Sequence, residues 1–104
     1  MRVIIDNNAL EGIKAFYRAA MDTHVTLDEQ TVVSKINRLF DAIEDLGNYP
    51  NKYPKARHIK KWIDQGCRDF VFEDLHTAYK IVQLDTGERI VYVIDVCHSL
   101  LYHD

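Results

Sequence analysis

The sequence predicts a small α+β domain: a first strand, a helical hairpin, then a three-stranded antiparallel meander. Three observations carry that class. Apolar residues recur at helical spacing through two long segments in the first half of the chain. A short β-branched run precedes them, and the last third is built of apolar stretches of strand length separated by turn residues. Finally, 104 residues, 47% of them hydrophobic and 28% charged, fit one domain (1–104) with one modest core, whose functional site is expected to be a surface groove.

The elements follow in order. Arg2 to Ile5 is the first strand, bounded by Asp6-Asn7-Asn8. Asn8 and Glu11 form a capping-box pattern, and Leu10, Ile13, Phe16, Tyr17, Ala20 and Met21 give a helix over about 9–21. Thr26 and Glu29 repeat the pattern. Val32, Val33, Ile36, Leu39, Phe40, Ile43 and Leu46 make the second stripe, with Gly47 expected in the left-handed C-terminal position and Pro50 beyond it. The Tyr-Pro pairs at 49–50 and 53–54 disfavour helix, and a short helix is expected within 55–65, ended by Gly66. Strands are expected at Cys67–Phe72, His76–Leu84 and Arg89–Cys97, with Gly87 supplying the positive φ of the last turn. The third of these is apolar on both faces, so it is expected to be central in the sheet.

Composition narrows the classes of function. No apolar run approaches the roughly 18 residues that span a bilayer. The segment Met1 to Asp6 turns polar too soon for a secretory signal, so a cytoplasmic protein with no membrane partner is expected. Cys67 and Cys97 have no metal-ligand spacing, and neither do His24, His58 and His76, which read as surface residues. No metal or other cofactor is expected. The net charge of −3 is uneven: residues 1–50 carry −3, residues 51–66 carry +4 and residues 67–104 carry −4. The positive stretch, with Lys52, Lys55, Arg57, Lys60 and Lys61, bears on partners rather than on fold.

The element order resembles that of the RelE/ParE superfamily of bacterial toxins over nearly the whole chain. Local segments agree: Tyr49-Pro50 after the hairpin, Gly66-Cys67-Arg68-Asp69-Phe70, Ala78-Tyr79-Lys80-Ile81-Val82, and Val96-Cys97-His98-Ser99. The resemblance implies the toxin component of a type II toxin-antitoxin system with a cognate antitoxin. It also implies either a ribosome-associated mRNA endonuclease or an inhibitor of DNA gyrase. An inactive member acting only as a protein-binding domain is the third reading. The net negative charge favours the latter two, because a polyanion is repelled by acidic strands.

Metal-free RNA cleavage needs a base, an acid and a cation at phosphorus. The resemblance points to His98 for proton transfer and to Arg68 for gripping a phosphate. Each also has a structural reading, as a strand-end hydrogen-bonding group and as a surface ion pair. Lys55, Arg57, Lys60 and Lys61 form the expected RNA-binding patch, or else a solvated face or an antitoxin dock. Trp62, Tyr79 and Tyr92 are expected mainly to pack, Trp62 as a core anchor. Tyr102 and His103 resemble toxin tails that join the site. Asp95 and His98 are expected on opposite strand faces, which argues against their forming a dyad.

Overall fold

The computed structural model describes residues 1–23 and 28–99. In chain order these form β1 (Arg2–Ile5), α1 (Asn7–Thr23), α2 (Glu29–Asp45), α3 (Lys60–Asp64), β2 (Arg68–Phe72), β3 (Leu75–Gln83) and β4 (Arg89–His98). The strand order is β1-β4-β3-β2. The meander is antiparallel as expected, but β1 runs parallel to β4, with Arg2 opposite Ile90 and Ile5 opposite Val93, so the sheet is mixed.

The helical hairpin covers one face. Leu39, Ile43 and Leu46 of the α2 side and Ala9 and Ile13 of α1 pack on Phe70, Leu75, Tyr79, Val91, Val93 and Val96. Contact between α1 and β4 is close: a Cβ added to Gly12 would lie 2.1 Å from the Val96 carbonyl oxygen. A second, smaller core lies on the opposite face, where Ala56, Ile59 and Trp62 close over Cys67 and Ala78, with Ile94 and Cys97 beside them. β4 is therefore central and covered on both sides, as its composition requires.

Several local expectations need correction. Asp6, rather than Asn8, caps α1: its Oδ2 accepts the Asn8 N–H at 3.0 Å, and its carbonyl accepts from Leu10. Asp28, rather than Thr26, caps α2 by accepting from the Gln30 N–H, and Thr26 lies outside the described residues. Gly47 does not adopt positive φ, because α2 ends in right-handed backbone at Leu46. Its small size matters instead, since an added Cβ would lie 2.2 Å from the Met1 carbonyl oxygen. α3 is only five residues long because the residues before it belong to the sheet edge: the Ala56 N–H donates to the Cys67 carbonyl, and the Asp69 N–H to the Pro54 carbonyl. Gly66 (φ 71) and Gly87 (φ 90) do turn the chain where expected.

A bulge in β4 sets the parity of everything beyond it. Ala78 pairs with Asp95 but Tyr79 pairs with Val93, so Ile94 is the extra residue. Val93 and Val96 both face the helical hairpin, while Ile94 and Cys97 face the second core. The bulge thereby turns His98 toward the hairpin, where its ring stacks on Phe16 of α1. No helix of the described residues is long and apolar enough to cross a membrane.

Candidate functional site

A tight turn, Glu73-Asp74, joins β2 to β3, with Glu73 at φ 54. It carries two carboxylates to the end of β4. Leu75 is opposite His98, and His98 Nε2 lies 2.9 Å from Asp74 Oδ2. Lys35 and Arg38, one turn apart on α2, reach the same place. Lys35 donates to Asp74 and lies 3.7 Å from a Glu73 carboxylate oxygen, and Arg38 bonds Glu73 at 2.9 Å. Phe16 is the floor: the His98 ring is parallel to it within 12°, and Lys35 Nζ lies 5.0 Å from its centroid. Burial acts to raise the Asp74 pKa, but hydrogen bonds from Lys35 and His98 outweigh it, and the carboxyl titrates below its ordinary value. The His98 side chain keeps 26% of its surface exposed, so a fixed imidazole stands within reach of solvent beside a cation.

A second histidine–carboxylate pair sits back to back with the first. His76 is opposite Cys97 in the register, on the other face of the sheet, and its Nδ1 lies 3.2 Å from Asp69 Oδ1. The two side chains are only 13% and 10% exposed, which corrects the surface reading of His76. A groove of about 190 Å³ opens next to them, lined by Pro54, Lys55, Arg57, His58, Asp69 and Val71.

The remaining sequence candidates are dispersed. Arg68 lies opposite Tyr79, itself opposite Val93, while His98 lies opposite Leu75, so the two are separated by about 13 Å along the strands alone. Arg68 donates to the Tyr53 carbonyl at 2.6 Å, and Tyr79 donates to the Pro50 carbonyl at 2.8 Å. Both pin the 50–54 turn to the sheet. Lys60 pairs with Asp64 along α3 at 2.9 Å. Lys61 pairs with Asp95 at 3.2 Å at the mouth of a larger groove of about 500 Å³, where Tyr92 donates to Asp6. Trp62 is fully buried and its indole N–H donates to Asp95 at 3.1 Å, so it anchors the second core as expected. Of the expected RNA-binding set, Lys55 and Arg57 share one groove, while Lys60 and Lys61 do not line it. Tyr102, His103 and His24 lie outside the described residues.

Lys35, Arg38, Asp69 and Asp74 were not singled out from sequence. A signal for Asp74 existed in the pattern Phe72-Glu-Asp-Leu75, two polar residues between apolar ones, which fits a two-residue hairpin turn. Nothing local indicates that α2 reaches it. Among the described residues no group of three or more His, Cys, Asp or Glu side chains could hold a metal ion. No family model matches the chain, and no curated protein matches it.

Proposed function

We propose that the chain is a RelE/ParE-like toxin of a type II toxin-antitoxin pair, acting as a ribosome-associated mRNA endonuclease that blocks translation. The observation that carries the reading is the placement of His98. It ends β4, as the resemblance requires of the histidine, and Phe16 and Asp74, itself bonded by Lys35, hold it in one orientation. A carboxylate that accepts a ring N–H fixes the orientation of the imidazole. His98 then exchanges a proton with the 2′-hydroxyl or the leaving oxygen. Lys35 or Arg38 offsets the charge that develops at phosphorus. Lys55 and Arg57 supply phosphate contacts on the neighbouring edge. The partners of this reading are the ribosome with its mRNA, and a cognate antitoxin, in the cytoplasm.

Arg68 enters as a strut of the 50–54 turn, since its guanidinium is already directed at the Tyr53 carbonyl. The test is primer extension on mRNA from a bacterial cell-free translation reaction. Wild type is expected to leave discrete, ribosome-dependent cuts, and His98→Ala to abolish them while the protein still unfolds cooperatively. Arg68→Ala is expected to lower stability more than cutting per folded molecule. Cuts that persist in His98→Ala would overturn the site. Cuts lost in Arg68→Ala with stability intact would return Arg68 to it.

The carboxylates beside His98 favour a second reading. Glu73 and Asp74 neutralise Lys35 and Arg38, which weakens attraction for a polyanion. A gyrase-directed or binding-only member follows from that balance. Trapped gyrase–DNA breaks without RNA cuts would select the former, and neither effect the latter.

A further inference from the structure

β2 is the edge strand opposite β1, and only half of its outer rim is paired. The segment 54–56 covers the first half through the Asp69 N–H bond to Pro54 and the Ala56 N–H bond to Cys67. The chain then leaves, because Pro54 has no N–H with which to continue a ladder. Backbone direction alternates along a strand, so the Val71 N–H and carbonyl turn outward like those of Asp69. No described segment pairs with them. Natural edges are usually blunted by a charge, a proline or a cover. This one presents Val71, with 49% of its surface exposed, on the groove rimmed by Lys55 and Arg57.

We propose that this edge is a docking site for an extended, acidic segment of a protein partner, which adds to the sheet beside β2. The proposal deepens the toxin reading and rests on it for the existence of that partner. Its chemistry comes from three features of the edge. Open backbone groups match a peptide strand, which supplies complementary N–H and carbonyl groups at the sheet spacing, and a nucleic acid does not. Val71 takes an apolar side chain of the incoming strand. Lys55 and Arg57, two cations against the single carboxylate of Asp69 among the residues lining the groove, attract carboxylates at the end of the segment nearest them.

The test uses the full chain, isotopically labelled, with three probes: a capped peptide of alternating valine and glutamate, its valine and lysine counterpart, and an oligouridylate. Amide exchange is followed residue by residue. The acidic peptide is expected to slow exchange at Val71 by more than about tenfold at saturation. Joint reversal of Lys55→Glu and Arg57→Glu is expected to weaken it by about tenfold or more. Val71→Lys, at an exposed position, is expected to abolish binding without changing the melting curve. Binding that leaves Val71 unprotected, equal binding of the lysine peptide, protection by the oligouridylate alone, or no binding by any probe would each overturn the proposal. The translation assay is independent of these outcomes. Cuts without peptide binding remove only the docking edge, and peptide binding without cuts removes only the nuclease.

Discussion

Asp74 ties three elements together through one carboxylate: its own turn, α2 through Lys35 and the end of β4 through His98. Its pKa lies below the unfolded value of 3.8, so the stability it contributes is fully present above that value and is lost as pH falls through the lower folded value. Asp74→Asn is expected to lower unfolding free energy at neutral pH by about 0.5–1 kcal/mol, discounted for the exposure of the pair. Urea titrations across the acid range should show that gap closing below 3.8. Tyr79 offers a cleaner test of a buried bond. Its ring is fully buried and its hydroxyl reaches the Pro50 carbonyl, so Tyr79→Phe is expected to cost about 1 kcal/mol in a urea titration. At this scale the sequence showed which side chains could do chemistry but not which would meet. His98 was legible because it closes an apolar strand. Asp74 and Lys35 were not, because a helix and a turn distant in sequence bring them together. The parity of His98 itself depends on a one-residue bulge that no local pattern announces.

At the scale of elements, the join between α1 and the sheet is the tightest constraint described. Gly12→Ala would gain about 1 kcal/mol of helix propensity, yet its Cβ would lie 2.1 Å from the Val96 carbonyl oxygen. The clash is with backbone, so the net effect is expected to be a loss of about 2 kcal/mol or more, read as a lowered urea midpoint. α3 depends on tertiary packing in the opposite sense. Five residues cannot hold a helix alone, and Trp62 supplies the anchor. Trp62→Ala is expected to cost about 3–5 kcal/mol and to speed amide exchange at Ala56 and Asp69 before the rest of the sheet. Both long helices and all the strands were legible from periodicity, since a stripe of seven apolar residues or an apolar run has one obvious use. The length of α3 was not, because Pro54 to Ala56 engage their backbone with β2, a pairing decided by contacts across the sheet.

For the whole molecule, two cores on opposite sides of one sheet have a chemical consequence. Cys67 and Cys97 belong to the second core, and burial raises both thiols, Cys97 to about 11. At pH 8 only about a thousandth of Cys97 is thiolate, so labelling by a disulfide reagent is expected to be slow in the native protein and fast in urea. A native Cys97 that reacts as fast as a free thiol would show that α3 and its flanks do not close that face. The α+β class and the central place of β4 were legible in its two-sided apolar composition. The parallel β1–β4 pair was not, because a four-residue strand carries no information about its neighbour. That pair has a further effect on how the molecule comes into being. Of the four strands, the first to be synthesised lies beside the last, Arg2 against Ile90, with three helices and two strands made between them. At roughly 5–20 residues per second of synthesis, β1 waits several seconds or more for its partner. Its Val-Ile-Ile side chains meanwhile remain unpaired, and the sheet cannot form in the order of synthesis. Assembly is therefore expected to be a late, concerted step, and chains stalled before β4 emerges should be protease-sensitive throughout.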